Sequence, residues 1–284
     1  MSFQKYQNTI EKKTPFHFDR ETSIGVGGIS PVAYYPRTMA EMIGLLRELK
    51  TPYYLLGNGT NVLPPEKSDR VVVKTTRLSF IKEDTMFVSC GAQVSTLLKL
   101  CKKGYTGAEF LAGIPASIGG LLYMNGGANG RFISSIVKGV VVFQKGEIVY
   151  RKREDCDYSY KHSRFMSESC VILGAYFSLI REDPQKVQER IEKVLEGRKR
   201  LPKGRSMGCV FKNPEGDSAG RLIDLAGLKG ARIGGAVVSP EHANFIIAER
   251  GAKREDIVRL IDRMKREVYK KFQIRLEEEI RYIP

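Results

Sequence analysis

The stretch GIPASIGGLLYMNGGANG, residues 113–130, decides how this chain is read. Glycines and asparagines crowd around a short apolar segment, a composition that no single regular element tolerates comfortably. The pattern predicts main chain laid close against a ligand. Toward the N-terminus, LLGNGTNVL (55–63) places Gly57 and Gly59 directly after a strand expected at YYLL (53–56). Small residues there let main-chain N–H groups approach a phosphate. The loop is not a Walker A motif, since no Gly-Lys-Ser/Thr ending follows, and it lacks the third glycine of a dinucleotide fingerprint. Alone, GNGTN reads as an ordinary turn. With GIPASIGG and NGGANG in the same predicted unit it makes three close-approach segments, each costly in chain entropy. A large flat cofactor carrying a pyrophosphate accounts for all three, and three unrelated loops is the weaker alternative.

The flanking segments follow two periodicities. TMAEMIGLLRELK (38–50) has helical spacing with Thr38 as N-cap. VVVKT (71–75), MFVSC (86–90) and CVILGAYFSLI (170–180) read as strands. VSTLLKLCKKGY, from Val94, reads as a helix, and VVVFQKGEIVY (140–150) as a hairpin turning near Lys145-Gly146. Asp183-Pro184 marks a break, with Pro184 suited to the first position of a helix bearing Val187, Ile191, Val194 and Leu195. Beyond it come a short glycine-closed helix in SAGRLIDLAGLKG (218–230) and a strand around 244–248. A long amphipathic helix then aligns Ile257, Leu260, Ile261, Met264 and Val268 on one face, and IRLEEEIRYI (274–283) ends the chain as a strand. The reading is α+β, with one unit to residue 183 and another over 184–284.

The formal net charge of +15 favours anionic partners. Nucleic acid ranks low among them, because no helix-turn-helix, zinc or RRM signature appears and the basic residues are spread rather than clustered. Five widely spaced cysteines without a CxxC pair, and only three histidines, support neither a disulfide framework nor a metal site. The N-terminus is polar and lacks the apolar segment of a signal peptide, and no apolar run is long enough to span a bilayer. A cytoplasmic protein with no membrane partner is expected.

The ordered set TSIGVGG (22–28), LLGNGTNVL (55–63), GIPASIGGLLYMNGGANG (113–130), YSYKHSRF (158–165), GCVFKNP (208–214), AGRLIDLAGLKG (219–230), GGAVVSPEHANFII (234–247) and LEEEIRYI (276–283) closely resembles the UDP-N-acetylenolpyruvoylglucosamine reductase (MurB) family. The resemblance spans nearly the whole chain. It implies a FAD-binding domain of the vanillyl-alcohol-oxidase (PCMH) type, in lobes of about 1–76 and 77–183, and a C-terminal α+β substrate-binding domain over 184–284. It implies NADPH-dependent reduction of UDP-N-acetylglucosamine enolpyruvate to UDP-N-acetylmuramate through FAD, for peptidoglycan synthesis. A monomer is expected. The segment between Ile180 and Pro184 leaves no room for a tyrosine-bearing substrate loop, as in the shorter subclass of the family. The alternative is another FAD-dependent oxidoreductase of the same flavin fold, although GIPASIGG offers neither His nor Cys for covalent flavin.

Residue by residue, the resemblance assigns the cofactor to Gly57, Asn58, Gly59, Thr60, Asn61, Gly113, Ile114, Pro115, Ser117, Ile118, Gly119, Asn125, Gly127 and Ala128. Cys209 occupies the place of the family's Ser or Cys proton donor, and a thiol is a stronger acid than an alcohol. For the other four cysteines a small buried apolar role is the reading. Glu279 matches the family's catalytic carboxylate. Strand parity alone puts Glu277 and Glu279 on one face and does not choose between them. Lys161 stands where the family usually carries arginine in YxYRxS, keeping the charge but losing the planar fork. Either Lys161 acts as a point charge or Arg164 reaches in. Arg200 and Asn213 align with contacts to the UDP portion. Ser239 and His242 lie in a shared motif with no chemical step assigned.

Overall fold

The computed structural model describes residues 5–283, so residues 1–4 of the polar N-terminal stretch lie outside it. Thr38 is extended and its hydroxyl accepts the Glu41 N–H at 3.1 Å, so the first long helix starts at the expected cap. Before it run β1 (Lys12–Lys13) and β2 (Ala33–Tyr34), followed by that helix, α1 (Met39–Glu48), then β3 (Tyr53–Leu56) and β4 (Val71–Lys74). These strands form a sheet in the order β1-β2-β4-β3, parallel except where β1 meets β2. A second sheet is antiparallel throughout and uses β5 (Ile81–Lys82), β6 (Phe87–Ser89), β7 (Val137–Gln144), β8 (Glu147–Lys152) and β9 (Val171–Phe177) in the order β8-β7-β9-β6-β5. The β7–β8 turn sits at Lys145 and Gly146, both at positive φ, as a two-residue hairpin requires.

Helices α2 (Val94–Lys102), α3 (Ile118–Met124) and α4 (Pro184–Arg198) accompany these sheets. The Asp183 carboxylate caps α4 through the Gln185 N–H at 2.9 Å, with Pro184 in the first turn. Helix α3 corrects the sequence reading of 113–130, where no regular element was expected. Ser117 accepts the Gly120 N–H at 3.2 Å, Ile118, Leu121 and Leu122 are buried, and Asn125 ends the helix in the left-handed region at φ +44. Two caps and an apolar face outweigh the helix-weakening glycines.

The C-terminal elements are α5 (Ala219–Leu225), a small antiparallel sheet of β10 (Arg232–Ile233), β11 (Ala236–Val238) and β12 (Ile246–Ala248), and α6 (Arg254–Phe272). All five apolar residues expected on one face of α6 are buried. The terminal segment is less regular than expected. Only Arg281–Tyr282 forms a ladder, parallel to Val62–Leu63, with a single bridge at Glu278 before it.

The chain divides into two compact units, each with its own apolar core. One comprises 1–14, 32–58 and 70–199, and the other 15–31, 59–69 and 200–284. The boundary expected at residue 183 therefore moves, and two N-terminal stretches join the C-terminal unit. Helix α4 stays with the first because Val187 and Ile191 are buried in that core. The 15–31 and 59–69 stretches pair with each other, Gly28 N–H donating to the Pro65 carbonyl and Ser68 N–H to that of Ile29. Ile24, Val26 and Leu63 belong to the second core. Among the described residues no helix is long and apolar enough to cross a membrane.

Candidate active site

In the first unit, the end of β3 meets the entry to α3. A Cβ added at Gly57 would lie 2.2 Å from Ser117 Oγ, so any larger residue there must displace that hydroxyl. Asn58 donates its Nδ2–H to the Pro115 carbonyl at 3.2 Å. Residues 116–119 are bonded along 90–94: Val94 N–H to Ala116 O, Ile118 N–H to Ala92 O and Gly119 N–H to Cys90 O. Gly113, Pro115 and Gly120 are exposed, while Ser117 and Ile118 are buried. Gly57 and Asn58 thus lie against the 113–119 segment, with the side chains of Arg198 and Leu195 beside Gly113. A pyrophosphate-bearing cofactor fits beside main chain of this kind, since small residues let it approach closely, although the N–H groups of Ile118, Gly119 and Gly120 are already bonded within the protein.

The third segment has another explanation. Asn125 is buried, and its amide donates to the Ser159 carbonyl at 2.8 Å and accepts the Ser134 N–H at 3.3 Å. Gly127–Ala128 pair with Arg131–Phe132, and a Cβ on Gly127 would sit 1.9 Å from the Arg131 carbonyl oxygen. Packing of chain on chain, rather than room for a ligand, requires that glycine.

Asn125 also places Lys161. Ser159 and His162 exchange main-chain hydrogen bonds of 3.2 Å around a two-residue turn, with Lys161 at φ +53. Ser163 anchors the far side by donating to the Tyr123 carbonyl at 2.5 Å. Lys161 is half-buried at the head of this turn. Arg164 faces Glu168, with Nε 3.8 Å from the carboxylate. That acid also pairs with Arg151 at 2.6 Å. Tyr158 turns inward against Phe165, and burial pushes its phenol pKa up.

In the second unit, Cys209 and Glu279 lie on adjacent segments. Glu279 N–H donates to the Val210 carbonyl at 2.8 Å, and Lys212 N–H donates to that of Glu277 at 2.8 Å. Cys209 bridges Phe245 on the other side, and Phe211 bridges Glu278. Asn61 contributes from GNGTN: its Nδ2–H reaches the Glu279 carbonyl at 3.2 Å, and its own carbonyl accepts the Arg281 N–H at 3.0 Å. Gly59 is buried at φ +68, and its carbonyl accepts the Ser23 N–H at 3.1 Å. Ser23 Oγ also donates to the Ser206 carbonyl at 2.5 Å, three residues before Cys209.

Residues 199–283 match the family model of the UDP-N-acetylenolpyruvoylglucosamine reductase C-terminal domain, and residues 31–150 match that of a FAD-binding domain. Together these cover most of the chain. A UDP-N-acetylenolpyruvoylglucosamine reductase of Caldicellulosiruptor bescii is 37% identical, over all of this chain and 95% of its own. One from Geotalea uraniireducens is 34% identical over 93% and 91%. The crystal structure of MurB from Thermus caldophilus superposes with a TM-score of 0.84 at 31% identity, covering 97% of this chain and 99% of that one. The chain belongs to the UDP-N-acetylenolpyruvoylglucosamine reductase family. It is an α+β oxidoreductase with a FAD-binding domain.

Within the chain the three glutamates of LEEEI part company. Glu277 is 72% exposed and paired with Lys212 at 2.5 Å. Glu278 is paired with Lys265 at 2.9 Å. Glu279 is half-buried beside the Cys209 segment. Arg200 is exposed at the start of the second unit, and Thr60 is half-buried within it. Asn213 is exposed, its Oδ1 accepting the Ala219 N–H at the start of α5 at 3.0 Å. His242 accepts the Asn244 N–H on Nδ1 at 3.2 Å, and burial lowers its pKa. Ser239 caps the turn by accepting the N–H groups of Glu241 and His242. Asn244 is a residue that sequence reasoning passed over. Its signal was its place inside the HANF string, at the start of an expected strand.

Proposed function

We propose that this protein reduces UDP-N-acetylglucosamine enolpyruvate to UDP-N-acetylmuramate with NADPH, in the cytoplasm, as a step of peptidoglycan synthesis. The observation that carries the reading is the main-chain bond from Glu279 to Val210, which holds a half-buried carboxyl beside the segment bearing the Cys209 thiol. Gly57, Asn58 and residues 113–119 would hold FAD, which would supply the hydride taken from NADPH. Hydride addition to the terminal carbon of the enol ether builds negative charge on the carbon bearing the carboxylate. The protein must therefore stabilise that charge and deliver a proton. Cys209 Sγ gives its proton to that carbon, and solvent restores the thiol. The Glu279 carboxyl, protonated, donates a hydrogen bond to the developing enolate. Lys161 supplies a positive point charge for the substrate carboxylate. Arg200 and Asn213 take the pyrophosphate and uridine portion.

The test is an anaerobic visible spectrum of the purified protein. A flavin band that bleaches with NADPH and returns only with the enolpyruvyl substrate supports the reading. No flavin band after reconstitution with FAD, or return without that substrate, refutes it.

A further inference from the structure

We propose that Asn244 is the positioning residue that fixes Cys209 and Glu279 against each other, an inference that rests on the reductase reading above. Residues 209–212 belong to no ladder. They meet neighbouring segments through two isolated bridges, Cys209 with Phe245 and Phe211 with Glu278, and through the few main-chain bonds that go with them. Single bridges set register more weakly than a continuous ladder does. Asn244 supplies what a ladder would. Its carbonyl accepts the Val210 N–H at 2.8 Å. Its side-chain Oδ1 accepts the Phe211 N–H at 2.9 Å, and its Nδ2–H donates to the Phe211 carbonyl at 2.8 Å. One buried amide thus exchanges two hydrogen bonds with one residue, as a strand partner does.

The clamp leads directly to the proposed chemistry. The Val210 carbonyl, one residue from the Asn244 clamp, accepts the Glu279 N–H, and Cys209 is the next residue along. Asn244 is itself held by the Ser239 and His242 turn. Asparagine is the residue type required, because donor and acceptor must stand side by side at short reach. Asn244 touches main chain, so it acts through Cys209 and Glu279. A displacement of about 1 Å in such a pair costs on the order of 10²-fold in rate.

The test compares wild-type holoenzyme with N244D in two anaerobic half-reactions, bleaching by NADPH and return of the band with UDP-N-acetylglucosamine enolpyruvate. The introduced carboxylate still accepts the Phe211 N–H but has no proton to offer the Phe211 carbonyl. Once protonated it does both, and burial favours that form. The expected result is a return slowed by about 10²-fold, with flavin content and NADPH bleaching unchanged and the deficit shrinking as pH falls. N244S, whose hydroxyl can replace one of the two bonds, enters the same comparison if N244D does not fold. Return at the wild-type rate overturns the proposal, and so does equal loss of both half-reactions. A wild-type protein whose band never returns with the substrate refutes instead the reading on which the proposal rests.

Discussion

Arg190 on α4 donates its Nε–H to Glu109 at 3.0 Å, across a sequence separation of 81 residues. Its Nη groups reach Glu182 and Thr106, while Glu109 also accepts from Thr106 at 2.6 Å and from the Gly107 N–H at 2.7 Å. This network docks α4 on the loop leading to Gly113, where Arg198 of the same helix lies within 2.9 Å of an added Cβ. Glu109→Gln should destabilise the protein by about 2 kcal/mol, less than a fully buried pair because Arg190 is partly exposed and keeps Glu182. Burial raises the Glu109 pKa, but hydrogen bonds from Thr106, main-chain N–H groups and Arg190 outweigh it and hold the carboxyl below its ordinary 4.5. A depressed folded pKa gives stability that is present above 4.5 and lost as pH falls through the folded value. Urea melts across acid pH should therefore show a shallower loss in the variant than in the wild type.

Gly57 and Ser117 make a testable pair. Gly57→Ala would drive its methyl to 2.2 Å from Ser117 Oγ and displace the segment assigned to FAD. Flavin occupancy should fall by about tenfold or more. Adding Ser117→Ala removes the clashing oxygen and sacrifices the α3 cap, worth about 1 kcal/mol. The double variant should bind more flavin than Gly57→Ala alone, a non-additivity expected only for residues in contact. Flavin absorbance per protein after gel filtration reads the result, and equal occupancy in the two variants would refute the contact.

Much of this was legible locally. The Lys145-Gly146 turn, the Pro184 helix start and the buried face of α6 each follow from a few adjacent residues. Helix α3 was hidden because its glycines argue against a helix, while the deciding features are its caps, Ser117 and Asn125. That 15–31 and 59–69 belong with residues 200–284 depends on pairings between distant segments, which no local periodicity encodes. The choice between Glu277 and Glu279 was likewise beyond strand parity, since Lys212 becomes the partner of Glu277 only through folding.

Tyr158 carries a buried hydroxyl without a hydrogen-bond partner among the described residues. A buried polar group left unsatisfied costs on the order of 1–3 kcal/mol. Tyr158→Phe keeps the ring against Phe165 and removes that group. The variant should be more stable by about 1 kcal/mol in a urea titration. A loss of stability would mean that the hydroxyl has a partner in solution.

Lys161 and Arg164 can be separated because the structure sends them to different neighbours. Arg164 lies against Glu168, an acid shared with Arg151, whereas Lys161 heads the turn pinned by Asn125. Lys161→Met should slow substrate-dependent flavin return by about 10²-fold, the order seen when one charge-stabilising group is removed. Lys161→Arg should retain most of the rate, and Arg164→Met should leave it near wild type. The reverse ranking would assign the charge to Arg164.

Cys209 and Glu279 call for a comparison against their neighbours. Cys209→Ala should keep its flavin and its bleaching by NADPH, yet lose about 10²–10⁴-fold in the return of the band with substrate. Cys209→Ser should fall between the two, since an alcohol holds its proton more tightly than a thiol. Glu279→Gln should lose about 10²-fold, because an amide donates a weaker hydrogen bond to a developing enolate than a carboxylic acid does. Glu277→Gln is the control: its partner Lys212 belongs to an exposed pair worth under about 1 kcal/mol, so rate and stability should both hold. If Glu277→Gln and Glu279→Gln lose the same rate, the carboxyl chemistry belongs to the segment's charge rather than to Glu279.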